Sequence, residues 1–280
     1  MSRLLVCSLP DLPSVNMKEA LLGFHGWDDM GERGGLSFLS YGDTVMVTIP
    51  DFHLYHESID REVEDLGFKV DEVIFMSKHS AKSGTPALTV HPIGNYHGNE
   101  FGGREGALVK ANPPLMSDAL RRIVQRNDMP ENQLCFEVTH HGPWLERPTF
   151  FIEVGSIQEH WENKHAAGIL AHVIEDLDPH PEYPVAVGVG GGHYAPRFTE
   201  IALSYNVNIG HMLPNYQMEG RDDEDIARML RLACEASGTR LVYLHRKSMK
   251  GAEARRLSSL IESAGLEPID SGCLEKISES

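Results

Sequence analysis

The chain has 280 residues, 41% of them hydrophobic, enough to bury a substantial core in one large domain or two small ones. Its formal net charge of −16 argues against a general polyanion binder, because phosphates repel an acidic surface, and no apolar run reaches the roughly 18 residues of a membrane span. Residues 1–8 read as a first strand, cut off by Pro10-Asp11 too early for a signal peptide; Cys7, Cys135, Cys234 and Cys273 are too scattered for a zinc ribbon or a C-x-x-C pair, so reduced thiols and a cytoplasmic location are expected.

Short runs rich in β-branched and aromatic residues predict strands at 4–8, 44–49, 73–77, 88–91, 134–140, 149–154, 185–189, 206–211 and 241–244. Helices are predicted over 15–24, 59–66, 115–126, 157–177, 197–204, 223–236 and 253–264. Asn112-Pro113-Pro114 marks the start of the third helix. Ser156 with Glu159 makes a capping-box pattern before the fourth. Acidic residues 222–225 and Gly238 bracket the sixth. The regular alternation after residue 130 implies an α/β fold with a mixed, partly parallel sheet flanked by helices. No linker or repeat divides the chain, so 1–280 is expected to be a single domain. The glycine-rich stretch 94–106 reads as a long surface loop, a kind that tends to be functional.

The densest chemistry lies at Val185-Ala-Val-Gly-Val-Gly-Gly-Gly-His-Tyr-Ala-Pro-Arg-Phe-Thr-Glu200. A buried strand empties into Gly190, Gly191 and Gly192, then His193, and Pro196 opens a helix. Such a turn places bare backbone, an imidazole and a helix N-terminus at the carboxyl end of a strand. Arg197 and Glu200 lie one turn apart, so an ion pair is one reading and a phosphate or oxyanion grip by Arg197 the other.

Fifteen histidines is a high count, and several fall where strands end: His79, His91, His140-His141, His193 and His211. Neighbouring parallel strands would gather them along one rim, as metal ligands or general bases. Along 137–141, Glu137, Thr139 and His141 share one face of a regular strand while His140 takes the other. Glu137 and His141 would then stand about 13 Å apart, too far to share an ion, unless the break at Gly142-Pro143 bends both histidines to the rim. Glu153 is read either as a member of the same pocket or as a solvent-facing acid. His53, His56, His160 and His165 are read as structural or surface residues.

Two basic islands interrupt the acidic chain: residues 78–126 carry seven Lys or Arg against three acids, and residues 240–256 six against one. They suit a local phosphate-binding face or ordinary helix surfaces. H-E-x-x-H, G-x-S-x-G and the P-loop pattern are absent, and the 188–192 glycines lack the spacing of a dinucleotide fingerprint. A non-catalytic phosphate- or nucleoside-binding protein and a metal-dependent peptidase or amidase stay open as alternatives.

Four segments taken together (Ser77-Lys-His-Ser80, Phe101-Gly-Gly103, Glu137-Val-Thr-His-His-Gly-Pro143 and Gly188-Val-Gly-Gly-Gly-His-Tyr-Ala-Pro-Arg197) resemble the archaeal and plant type of D-aminoacyl-tRNA deacylase, over nearly the whole chain. The resemblance implies a phosphorylase/peptidyl-tRNA-hydrolase-like α/β core and a Zn2+-assisted hydrolysis of the D-aminoacyl-tRNA ester. The partner would be the tRNA acceptor end, with neither membrane nor DNA, and the protein a monomer. The expected roles follow: His193, His141 and Glu137 as catalytic groups; His140, His141, His193 and Glu153 as metal ligands; Gly190, Gly191 and Gly192 shaping the ester pocket; Lys78, His79 and Arg197 meeting phosphate or the terminal ribose. An activated ester needs a positioned water and a base or metal, and no covalent nucleophile, which suits the missing serine and cysteine signatures.

Overall fold

The computed structural model describes residues 2–278. The chain runs through β1 (Arg3–Ser8), α1 (Leu12–Phe24), β2 (Asp28–Arg33), β3 (Leu36–Tyr41), β4 (Thr44–Ile49), α2 (Ile59–Asp65), β5 (Glu72–Lys78) and β6 (Ala87–His91). A short pair, β7 (Gly94–Asn95) and β8 (Ala107–Leu108), precedes α3 (Pro113–Arg126), β9 (Gln133–Phe136), β10 (Thr149–Gly155), α4 (Gln158–Trp161) and α5 (Lys164–Glu175). The remainder is β11 (Val185–Val189), α6 (Pro196–Ser204), β12 (Asn208–Leu213), α7 (Asn215–Met218), α8 (Asp223–Ser237), β13 (Leu241–Leu244), α9 (Gly251–Ser263) and β14 (Glu267–Ile269).

Two main sheets result. The larger has the order β2-β3-β4-β1-β5-β10-β6-β9. It is parallel from β4 to β10, and antiparallel at the β2-β3-β4 edge and between β10 and β6. The smaller, β12-β11-β13-β14, is parallel throughout. This is the mixed, partly parallel α/β architecture expected.

Alternation along the central strands decides which layer each face meets. Leu5, Ile74, Met76, Phe150 and Ile152 point into a core built with α1, α3 and α5, and that core continues into Ala186, Ile209 and Met212 of the smaller sheet. Leu4, Val6, Phe75 and Phe151 point to the other face, under Ile59 and Val63 of α2. Phe75 and Phe151 are in register on β5 and β10 and stack at 4.5 Å; burying each ring is worth about 2–3 kcal/mol. Between the sheets, the buried Arg121 of α3 donates to the carbonyls of Ala202 and Val207.

Three sequence expectations are corrected, and one element is added. The helix expected over 157–177 is broken into α4 and α5, because Asn163 caps a new start by accepting from the His165 and Ala166 amides. The Ser156–Glu159 capping box does not form: the Ser156 hydroxyl donates to Thr85 O, and its N–H goes to His160 Nδ1. The hairpin β2-β3 was not foreseen, since β2 reads Asp-Asp-Met-Gly-Glu-Arg and is exposed throughout; only its partner carries inward apolar residues, Leu36 and Phe38. The strand expected over 134–140 stops at Phe136.

That last correction places the site. After Phe136 the backbone changes partners residue by residue. The Glu137 amide still donates to Val90 O of β6, Val138 N donates to His193 O, Thr139 N to Met212 O, and His140 bridges Ile93. Residues 137–141 thus stitch the two sheets together, and their side chains emerge at the junction.

Candidate functional site

Glu137 is fully buried at this junction. Its Oε2 accepts from His193 Nε2 at 2.8 Å, and its Oε1 lies 3.1 Å from His79 Nδ1. Burial works to raise the carboxyl pKa, but the hydrogen bonds from His193 and His79 outweigh it and hold Glu137 well below the usual carboxylate range. The carboxylate in turn raises His79 above the ordinary imidazole value against the opposing effect of burial. The Tyr194 hydroxyl lies 3.0 Å from the other nitrogen of His79. His193, with a side chain 36% exposed, is the member that reaches solvent. Its Nε2–H is committed to Glu137, so Nδ1 keeps the lone pair.

A second group lies alongside. His91 ends β6, and His140 and His141 follow from the stitching segment. Their rings are 4.2 Å (His91–His140), 4.9 Å (His91–His141) and 4.4 Å (His140–His141) apart between centroids. In each ring Nδ1 faces a backbone carbonyl: Pro92 O at 3.2 Å, Val138 O at 2.7 Å and Gly142 O at 2.6 Å. A carbonyl accepts only, so each Nδ1 carries the proton and each Nε2 the lone pair. Burial first, then neighbouring imidazoles, holds His140 and His141 well below the usual histidine range, so both are neutral. His91 Nε2 is buried without a hydrogen-bond partner among the described residues. Glu153 of β10 stands between the groups, its Oε2 3.6 Å from His91 Nε2 and 3.7 Å from His79 Nδ1.

Among the described residues, two sets of three side chains could hold a cation, each with all ligand atoms within 4.8 Å of one another: His91, His140 and His141, and His79, Glu137 and His193. Imidazoles fixed through Nδ1–H suit a borderline metal such as zinc.

The structure therefore gathers His79, Glu137, His140, His141, Glu153 and His193. Both adjacent histidines reach one pocket, His141 taking φ +44° just before the Gly142-Pro143 turn. Lys78 lies beside the cluster, with Nζ 5.0 Å over the Phe52 ring and 4.9 Å over Trp161. The Gly190 and Gly191 amides are engaged by Leu213 O and Ser248 Oγ; nothing lies within 4 Å of a Cβ built on Gly192. Arg197 stands apart: its guanidinium meets Tyr243 Oη and Glu200 in a separate cavity of about 550 Å³, lined also by His245, Arg246 and Lys247.

Two participants escaped the sequence-based set. His91 was visible as a strand-end histidine but had no companion motif. Tyr194 is adjacent to His193, yet its partner His79 is 115 residues away. A third feature lies behind the site: Ser77 Oγ is 2.9 Å from His53 Nε2, and His53 Nδ1 is 4.0 Å from Asp11 Oδ2. The order imitates a nucleophile triad, but Ser77 and His53 are each 1% exposed, so no ester can reach that hydroxyl. Burial lowers His53 to about 3 and raises Asp11 to about 7.

A family model described as D-aminoacyl-tRNA deacylase matches residues 66–269. A D-aminoacyl-tRNA deacylase of Methanococcoides burtonii is 36% identical over 274 residues, covering 95% of this chain and 56% of its own length; this chain thus spans little more than half of that relative. One from Thermococcus onnurineus is 35% identical over 271 residues, covering 95% of this chain and 98% of its own. A solved structure described as a conserved protein of unknown function superposes with a TM-score of 0.87 at 31% identity, covering 98% of this chain and 96% of that one. No helix of the described residues is long and apolar enough to cross a membrane.

Proposed function

The chain belongs to the D-aminoacyl-tRNA deacylase family, and on that premise we propose that it hydrolyses the ester of D-aminoacyl-tRNA to free D-amino acid and tRNA. The observation that carries the reading is the Glu137–His193 pair: a buried, ionised carboxylate 2.8 Å from an imidazole that reaches solvent. Glu137 orients the ring through Nε2–H, leaving Nδ1 to take a proton. A water activated there attacks the ester carbonyl, its proton passing to His193. Collapse of the tetrahedral adduct breaks the bond to the ribose oxygen, which leaves with that proton. His79, tied to Glu137 and near Tyr194, fixes the carboxylate from the other side.

Zinc fits the second group. Three imidazoles hold Nδ1–H on a carbonyl and turn Nε2 inward. His140 and His141 are neutral, whereas burial opposes the charge on His91 but the Glu153 carboxylate raises its pKa above the ordinary value, so a metal there would take the place of that proton. We assign His91, His140 and His141 as the metal set, with Glu153 within reach; His91 thereby replaces His193, whose Nε2 is committed to Glu137. Bound there, zinc would supply Lewis acidity toward the ester carbonyl or water. Arg197, already held by Tyr243 and Glu200, takes no part in the ester chemistry.

The test is paired incubation with D- and L-tyrosyl-tRNA, with and without a chelator. Selective loss of the D-ester supports the reading; equal stability of both esters in the presence of folded, metal-loaded protein overturns it. Chelator-sensitive cleavage of peptides in its place would favour a peptidase.

A further inference from the structure

Two aromatic rings are conspicuously uncovered beside this site. Phe101 is 63% exposed and Tyr55 57%. The segments that carry them meet, because the 94–106 loop is pressed against the 53–57 turn: a Cβ at Gly102 would fall 1.7 Å from Leu54 O and 3.6 Å from the Tyr55 ring. Phe101 also adjoins the histidines, since its carbonyl accepts from Gly142 N, the residue after His141.

This presentation is fixed. Asn95 donates to Gly102 O, Asn99 to Gly103 O, and Gly103 N donates to Glu57, whose other oxygen accepts from Trp144 N. A Cβ at Gly142 would fall 2.2 Å from Gly103 N, so the two loops interlock and only glycine fits. The apolar track continues inward. The Phe52 ring lies 6.5 Å from that of Tyr55, and Lys78 Nζ sits between Phe52 and Trp161. The Trp161 indole donates to His79 O. Two exposed aromatics, followed inward by two half-buried ones with a cation between them, thus border the cluster from the His141 side to the His79 side.

We propose that Phe101 and Tyr55 form a stacking shelf for the unpaired 3′-terminal bases of the tRNA substrate, with Lys78 meeting a backbone phosphate. The proposal rests on the deacylase reading, and it names how that substrate is held. Single strands are recognised by stacking on aromatic side chains, largely without regard to sequence. Stacking also suits this chain's charge. The protein carries −16, Asp51 and Glu57 lie near the shelf, and a grip made mainly of phosphate pairs would meet repulsion. Continuity with the histidines places the esterified end, rather than a helical stem or a partner protein, on the shelf.

Phe101→Ala and Tyr55→Ala are the test, with Phe101→Tyr as the conservative variant. Because both rings are exposed, the variants should keep the wild-type melting temperature. For D-tyrosyl-tRNA, KM should rise about 5- to 100-fold, with the effect falling on KM rather than kcat, and Phe101→Tyr should restore it. Independently, an uncharged tRNA carrying 2-aminopurine in place of its terminal adenine should be quenched by the wild-type protein and much less by the alanine variants. Unchanged KM and unchanged quenching in both alanine variants overturn the shelf, and that is also the result expected of a protein-docking surface. If the wild type quenches the probe and the variants do not, yet no D-ester is cleaved, the shelf stands and the deacylase reading falls.

Discussion

The two histidine groups share a junction yet are wired differently. His91, His140 and His141 each give their Nδ1 proton to a main-chain carbonyl, so their lone pairs are fixed by backbone geometry and burial keeps His140 and His141 neutral. His79 and His193 are instead tied to one ionised carboxylate, which holds His79 above the ordinary imidazole value against the effect of burial. Imidazoles whose lone pairs are fixed by Nδ1–H bonds to the main chain are suited to a cation; imidazoles that share one buried carboxylate are suited to handling protons. Sequence spacing alone treats all five alike. The difference lies in what the second nitrogen of each ring touches.

Substitutions that cross metal content with activity should break this division if it is wrong. The largest effect is expected for His193→Ala: kcat for the D-ester falls by about 100-fold or more, while zinc measured per protein chain stays at the wild-type value. His141→Ala should lower both, with zinc lost from the purified protein and activity reduced in step; added zinc should restore part of the activity. Elemental analysis beside single-turnover rates reads both variants. If His193→Ala sheds the metal and His141→Ala keeps it, the roles assigned to the two groups are reversed.

Much of this was legible because certain signals are local. The valine-rich strand, the three glycines and Pro196 fix β11, its turn and α6 within one stretch, and strand-end histidines are visible as a recurrence. Asn112, Asp222 and Gly238 announced helix ends that their side-chain and left-handed caps confirm. What stayed hidden depends on distant partners. Nothing in 134–140 says that the backbone abandons β6 after Glu137 for His193 and Met212. Asp11 accepts from Lys78 N, 67 residues away. The Gly102–Gly142 interlock joins loops whose glycines separately look like ordinary turns. The exposed β2 strand is held by pairing to β3 and carries no apolar alternation to betray it.

Behind the two groups lies a third kind of wiring, buried titratable side chains whose protonation is set chiefly by burial, and it sharpens the comparison through stability. Asp11 has its pKa raised from 3.8 to about 7, chiefly by burial. The unfolded chain ionises it from about pH 4, while the folded protein resists until about pH 7. Its contribution is therefore full below pH 4 and is lost as pH rises to 7, a change of about 4 kcal/mol. Asp11→Asn should remove this slope: urea-unfolding free energies of variant and wild type should diverge across pH 4–7 in favour of the variant, whatever their fixed offset from the altered Ser14 and Lys78 amide bonds. A constant difference across that window would mean that Asp11 ionises freely in the folded state.

His211 gives the opposite and smaller slope. The Thr139 hydroxyl, which already accepts from Met212 N, donates to its Nδ1, and its Nε2–H donates to Val109 O. Both nitrogens are used in the neutral form, and a second ring proton would have to displace the Thr139 bond. Burial lowers its pKa from 6.5 to about 4 against the raising effect of the Val109 bond. The unfolded chain takes up the proton near pH 6.5 and the folded protein only near pH 4, so stability present above pH 6.5 falls by about 3 kcal/mol as pH drops to 4. His211→Gln abolishes that dependence while filling much of the same space. The wild type should therefore lose about 3 kcal/mol relative to the variant between pH 6.5 and 4, measured by urea unfolding at closely spaced pH values. Parallel curves would show that the ring accepts its second proton in place, and that burial without a carboxylate does not suffice to keep an imidazole neutral in this protein, which would also weaken the case for His140 and His141 as neutral ligands.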